Sequence, residues 1–159
     1  ELNNKDYHVI FCGYDKFDHL SFLKNQINER KLSNYFTFFD YLEDEEIIAI
    51  YLNSHALVMP TFVGHYSLPL FESFYFKIPA FFTKDLLDES LTKYVYEIDT
   101  KIPSDLAKKL LELKSKKNEV ENLKKEAYNF YNSFCSLSRI KKTYNDIFEE
   151  VIYFKSMWK

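Results

Sequence analysis

The chain alternates between short apolar runs and longer segments in which apolar residues recur every three or four positions. The short runs show no alternation of polar and apolar residues, which is typical of strands buried on both faces of a sheet. Strands are predicted at 7–12, 35–39, 56–59, 80–83 and 94–98. The longer segments have the spacing of amphipathic helices. They predict helices at 18–31, 44–51 and 68–76, and Pro69 suits the first turn of the last of these.

After Thr100 the pattern is helical to the end, and it predicts helices at 103–114, 118–133 and 136–155. Strands that alternate with helices predict an α/β fold, here a Rossmann-like doubly wound parallel sheet followed by C-terminal helices. Ligands of such sheets bind at the carboxyl ends of the strands. We therefore expect the binding face to be formed by the loops 13–18, 40–43 and 60–67.

The composition narrows the candidate functions. A chain of 159 residues with 47% hydrophobic residues is expected to form one globular domain. A net charge of −3 disfavours nucleic-acid binding. The two glycines, Gly13 and Gly64, cannot form a Gly-x-Gly-x-x-Gly fingerprint, which weighs against the alternative of a Rossmann-like dehydrogenase.

The cysteines and the hydropathy indicate the cellular setting. Cys12 and Cys135 lie far apart and lack metal-ligand spacing, so free thiols and no metal site are expected. No apolar segment of 18 residues occurs, and the first residues lack a signal-peptide core. We expect a cytoplasmic protein, with a peripheral contact at the inner face of the membrane as an alternative for a longer chain. The absence of an initial Met suggests such a longer chain.

The most informative stretch is the loop at 60–67 with the helix that follows it. Backbone N–H groups at Tyr66, Ser67 and Leu68 lie at a helix N-terminus, where the helix dipole favours an anion such as a diphosphate. Glu72 lies about one turn into this helix. Its carboxylate can accept two hydrogen bonds from a vicinal diol such as a ribose.

Residues 56–81 resemble the donor-site motif of glycosyltransferase family 4 (glycosyl transferases group 1), in the C-terminal half of the GT-B fold. Pro60-Thr61 resembles the end of the family's strand, Leu68-Pro69 its Leu-Pro, and Glu72 the second of its two Glu residues. The segment 35–51 is similar to the family's base-side strand, loop and acidic helix, and the resemblance extends over about 7–134. Gly64 stands where the family's first Glu is expected, and His65-Tyr66-Ser67 replaces Gly-Phe-Gly.

The resemblance implies retaining transfer of a hexosyl group from a nucleotide-diphosphate sugar, such as a UDP- or GDP-sugar, in polysaccharide biosynthesis. No metal or other cofactor is implied, and no catalytic residue is assigned. Glu72 would hold the ribose, and the remaining donor-binding residues would be Gly64, His65, Tyr66, Ser67 and Leu68 at the diphosphate and sugar, Tyr41 and Leu42 at the base, and Gly13 on the first loop.

The resemblance also divides the chain. Residues 1–135 would form the Rossmann-like donor-binding domain, and 136–159 a C-terminal helix that crosses to an N-terminal half, which would bind the glycan or lipid acceptor. That half and the family's diphosphate-binding Arg and Lys would lie upstream, so this chain alone is expected to be inactive. We expect the apolar stripe of Tyr144, Phe148, Val151 and Phe154 to be exposed or covered by a second copy. The alternative function is a non-catalytic GT-B-like partner domain.

Overall fold

The computed structural model describes residues 7–15, 18–62 and 67–158. The chain forms two compact units, Glu1–Leu52 and Asn53–Lys159. The sheet of the first unit has two strands and that of the second has three, and all the strand pairs are parallel, as the sequence predicts.

In the first unit, β1 (Val9–Cys12) pairs with β2 (Phe36–Phe39). The two strands are connected by α1 (His19–Glu29) and a single 3-10 turn at Ser33–Tyr35. The helix α2 (Asp44–Asn53) follows β2 and begins with three acidic residues, which the positive end of the helix dipole favours.

In the second unit, the strand order is β3 (Leu57–Met59), β4 (Ala80–Thr83) and β5 (Tyr96–Ile98). The helix α3 (Leu68–Tyr75) connects β3 to β4, and the short helix α4 (Glu89–Thr92) precedes β5. Parallel neighbours need crossover connections of this kind. The chain continues with α5 (Pro103–Ser115), α6 (Lys117–Phe134) and α7 (Leu137–Met157).

The core of the second unit lies between α3, β4 and α6. Leu70 and Phe74 of α3 pack with Phe82 of β4 and Ala127 of α6, and all four are almost fully buried. The ring of Phe130 on α6 meets Phe74 edge to face, with centroids 6.4 Å apart. Much of the aromatic content therefore serves packing, and it fixes α3 against α6.

Burial differs between strands that the sequence predicts to be equally buried. All four residues of β4 are buried, because this strand has a neighbour on each side. The prediction is wrong for β1, whose four residues, including Cys12, are all exposed. Within the described part of the first unit β1 pairs with β2 alone, so part of its apolar surface stays uncovered.

The last helix, α7, is exposed along its whole length. The exposure predicted for Tyr144, Phe148, Val151 and Phe154 is confirmed. Of the helices that the structure describes, none has both the length and the apolar character needed to cross a membrane. The division of the chain at 135–136 stays a prediction.

Candidate functional site

The end of β3 and the start of α3 are held together by one side chain, that of Ser67. Its hydroxyl accepts a hydrogen bond from the Leu70 N–H at 3.4 Å and so caps α3. The same hydroxyl donates to the Sδ atom of Met59, the last residue of β3, at 3.3 Å. The described ends of the loop at 60–67 are therefore tied to each other. Three predicted site residues of this loop, Gly64, His65 and Tyr66, lie outside the described residues.

Few N–H groups are free at the N-terminus of α3. Pro69 has none, and those of Leu70 and Phe71 bond to Ser67. The Leu68 N–H has no hydrogen-bond partner within the part of the chain that the structure describes. A free N–H at the positive end of a helix favours an anionic group. Ser67 likewise donates no backbone hydrogen bond to another described residue, so the anion contact predicted at the Ser67 and Leu68 N–H groups stays a prediction.

Glu72 lies one turn beyond Leu68, so the two side chains share a face of α3. Leu68 is exposed, whereas Glu72 is half-buried and already interacts with another part of the chain. Its charge also reaches α6: burial raises the pKa of Tyr131, and the charges of Cys135, Tyr75 and Glu72 raise it further. The charge of Glu72 on α3 therefore acts on Tyr131 of α6.

Thr83, which was not predicted from the sequence, anchors the start of the loop at 60–67. The hydroxyl of Thr83, at the end of β4, donates to the backbone carbonyl of Thr61 at 2.6 Å. Thr83 is buried, so this bond is shielded from water. Thr83 could have been found from the sequence, because it is a hydroxyl residue at the carboxyl end of an apolar strand, where ligands of such sheets bind. Thr83 positions the backbone that leads out of β3.

The other predicted site residues belong to the first unit. Gly13 follows β1 with a φ of 143°, and its N–H donates to the carbonyl of Phe39 at 3.0 Å. Residues with a side chain rarely adopt this φ, so a glycine suits the position. Tyr41 is exposed and its hydroxyl donates to Glu43 at 3.4 Å, whereas Leu42 is half-buried. Gly13, Tyr41 and Leu42 therefore gather at the carboxyl end of the β1–β2 sheet.

The structure offers no support for metal or thiol chemistry. Within the described ranges, no three His, Cys, Asp or Glu side chains come close enough to hold a metal ion. Both cysteines are free, and partial desolvation raises the pKa of the half-buried Cys135 thiol and, although its residue is exposed, of the Cys12 thiol, which disfavours the reactive thiolate. An open cavity of about 400 Å³ beside α6, lined by residues such as Lys93 and Asn129, contains none of the predicted site residues.

The family model described as "Glycosyl transferases group 1" matches residues 1–130. The chain belongs to this glycosyltransferase family. The resemblance inferred from the loop at 60–67 and α3 is thereby confirmed. No curated protein sequence matches the chain significantly.

Solved structures show the same fold for this glycosyltransferase-family chain. Sucrose-phosphate synthase from Thermosynechococcus elongatus is 12% identical, with a TM-score of 0.75 over 91% of this chain and 38% of its own. HepE from Anabaena in complex with UDP is 11% identical, with a TM-score of 0.79 over 92% of this chain and 42% of its own. The C-terminal domain of LpcC, a group 1 family protein from Francisella tularensis, is 18% identical, with a TM-score of 0.62 over 75% of this chain and 63% of its own.

These similarities establish the Rossmann-like architecture of the C-terminal half of GT-B enzymes. The chain spans between 38% and 63% of the three solved chains. In this family member, Ser67, Leu68 and Glu72 come together on α3, while Gly13, Tyr41 and Leu42 come together in the first unit.

Proposed function

We propose that this chain is the donor-binding half of a retaining glycosyltransferase. It binds a nucleotide-diphosphate sugar, and the complete enzyme transfers the hexosyl group to a glycan or lipid acceptor in polysaccharide biosynthesis. The observation that carries the proposal is the arrangement on α3, in a member of a glycosyltransferase family: the Leu68 N–H donates to no other described residue, and the half-buried carboxylate of Glu72 lies one turn further on. The similar HepE structure, which contains UDP, supports a nucleotide as the ligand.

The chemistry assigns a separate task to each part of α3. The leaving diphosphate gains negative charge as the glycosidic bond breaks, and the Leu68 N–H with the helix dipole stabilises that charge. The carboxylate of Glu72 accepts hydrogen bonds from the ribose hydroxyls and so fixes the nucleotide. Ser67 and Thr83 hold the two ends of the loop, so the diphosphate meets a preformed backbone. No metal or cofactor enters this scheme.

Tyr41 and Leu42 are proposed to contact the base, and Gly13 to let the backbone of the first loop approach the donor. Gly64, His65 and Tyr66 complete the proposed diphosphate and sugar contacts. We assign the acceptor to an N-terminal half that is not part of this sequence. The cytoplasmic location, and a peripheral contact with the inner face of the membrane, belong to the same proposal.

Isothermal titration of the chain with UDP and with GDP tests the proposal. We expect Glu72→Ala to weaken binding of the preferred nucleotide by about 10- to 100-fold, because loss of a hydrogen-bonded charged acceptor costs about 1.5–3 kcal/mol in total. Glu149→Ala, which removes an exposed helix carboxylate on α7, is the matched control and should bind like the parent. Equal affinity of Glu72→Ala and the parent would contradict the role of Glu72.

A further inference from the structure

The strand β5 lies at an edge of the sheet of the second unit, where it pairs with β4 alone among the described strands. The carbonyl of Ile98 accepts a hydrogen bond from the Lys84 N–H at 2.8 Å and so faces β4. Successive residues of a strand direct their backbone N–H and C=O groups to alternate sides. The carbonyl of Glu97 and the N–H of Asp99 therefore point to the free side of β5.

Two side chains of α5 occupy this free side. The Lys109 ammonium donates to the carbonyl of Glu97, and the Asp105 carboxylate accepts from the N–H of Asp99 at 2.9 Å. Lys109 also donates to the same Asp105 oxygen at 2.8 Å, which joins the two contacts. Because Asp105 and Lys109 are four positions apart, they lie on one side of α5. A single ion pair thus bonds a carbonyl and an N–H that point away from β4.

The two backbone bonds have the pattern of a parallel ladder. In such a ladder, one residue donates its N–H to a carbonyl of the neighbouring strand and accepts from the N–H two positions further along that strand. The Lys109 ammonium takes the place of that donor, and the Asp105 carboxylate takes the place of that acceptor. The pair therefore makes the bonds that one residue of a further parallel strand, placed opposite Ile98, would make with β5.

The sequence of β5 explains why an open edge here would promote association. Residues 94–98 are Tyr-Val-Tyr-Glu-Ile, with one charge and neither proline nor glycine. Aromatic and β-branched residues favour strands, and such a segment at an open edge is a template on which a strand of another molecule can pair. Lysine at a strand edge is one of the means by which proteins prevent that pairing.

We infer that the Asp105–Lys109 pair substitutes for a neighbouring strand and closes the edge of β5 against the addition of a strand from a second copy of this chain. The inference does not depend on which surfaces are exposed, because the two backbone groups are already bonded within the chain. It is also independent of the proposed donor site, because no donor-site residue lies on α5 or β5.

Removal of the pair from the full 159-residue chain tests this inference. In the double variant Asp105→Ala with Lys109→Met, the Asp99 amide should exchange at least about tenfold faster than in the parent, since it loses a charged acceptor. Sedimentation velocity should show a shift to larger species. The matched control is Glu121→Ala with Lys124→Met on α6, an ion pair of 2.7 Å that bonds no backbone group within the described residues. The control should exchange and sediment like the parent.

A proline in β5 separates strand addition from a general loss of folding. Glu97→Pro removes an N–H that points away from β4, and the proline ring obstructs any strand that approaches the free side. Added to the double variant, Glu97→Pro should return the sedimentation profile to that of the parent.

Circular dichroism verifies that each variant keeps its helices. Lys109→Met alone, which leaves the bond between Asp105 and Asp99 in place, is the milder variant and should also shift to larger species. Association that persists in the presence of Glu97→Pro would overturn the inference. So would a double variant that sediments like the control, or an Asp99 amide that exchanges equally fast in the double variant and the parent.

Discussion

Two helices end in a turn that usually contains glycine, and in this glycine-poor chain a lysine occupies the position in both. Lys31 after α1 and Lys77 after α3 have φ values of 57° and 56°. In each turn the following N–H donates to the carbonyl five residues earlier, at 3.0 Å for Leu32 and 2.8 Å for Ile78. This is the Schellman arrangement. Because the left-handed conformation costs a residue with a side chain about 1–2 kcal/mol, both turns are strained.

Replacement of Lys31 and of Lys77 by glycine should change the free energy of unfolding by different amounts. Glycine relieves the strain of about 1–2 kcal/mol, but its greater freedom in the unfolded chain costs about 0.5–1 kcal/mol. The net gain in the free energy of unfolding is therefore about 0.5–1 kcal/mol. Lys31→Gly should show this gain. At Lys77 the ammonium lies 4.2 Å from the ring centroid of Tyr128, a contact that contributes about 0.5–1 kcal/mol. Lys77→Gly loses this contact and should leave stability nearly unchanged.

Amide hydrogen exchange, followed by mass spectrometry, measures the opening free energy of α1 and α3 separately. The control is Lys77→Gly in a Tyr128→Leu background, where the cation–π contact is already absent and the gain should match that of Lys31→Gly. The reasoning is refuted if Lys31→Gly destabilises α1. It is also refuted if Lys77→Gly stabilises α3 equally with and without Tyr128.

Three further predictions concern the second unit. Thr83→Val keeps the side-chain shape but removes the hydrogen bond to the Thr61 carbonyl, so urea denaturation should show a loss of about 0.5–1.5 kcal/mol, and UDP or GDP should bind more weakly; unchanged values of both would contradict the anchoring role. The Lys109 ammonium and the Asp99 N–H both donate to the Asp105 carboxylate and lower its pKa in the folded protein. The stability that these bonds contribute is therefore present above the pKa of Asp105 in the unfolded chain, near 3.8, and is lost as the pH falls through its pKa in the folded state. Acid titration of Asp105→Asn should therefore show a shallower loss of stability below that pH, and a curve parallel to that of the parent would count against the ion pair. Phe74→Ala should destabilise the unit by about 3–5 kcal/mol because Phe74 is 1% exposed, and a loss below about 1 kcal/mol in urea would show that the core collapses around the gap.

The positions of the strands and helices could be predicted from the sequence because they depend on local periodicity. Apolar runs located all five strands that the structure describes, and 80–83 agrees with β4 at both ends. The helix α4 and the 3-10 turn at Ser33–Tyr35 were missed, since one turn of helix has no periodicity to detect. Burial was less predictable: β1 and β4 have similar apolar runs, but the number of strands that flank each run is a property of the tertiary fold.

The same distinction applies to the candidate site. Ser67, Leu68 and Glu72 lie within six residues of chain, so their placement at the start of α3 followed from the helix prediction. Thr83 contacts a backbone carbonyl 22 residues away, and no local pattern reports such a bond. The reduction of free N–H groups at the start of α3 follows from Pro69 and from the Ser67 cap, and both residues are visible in the sequence.

The central claim is that Glu72 holds the ribose of a nucleotide, and the coupling between this side chain and a ribose hydroxyl tests it most directly. The affinities of the parent and of Glu72→Ala are measured by titration with UDP and with 2′-deoxyuridine diphosphate, or with the guanine pair if GDP binds more tightly. We expect loss of the 2′-hydroxyl to weaken binding to the parent by about tenfold and to leave binding to Glu72→Ala nearly unchanged. Equal loss in both proteins would show that Glu72 does not contact the 2′-hydroxyl and would contradict its proposed hold on the ribose diol.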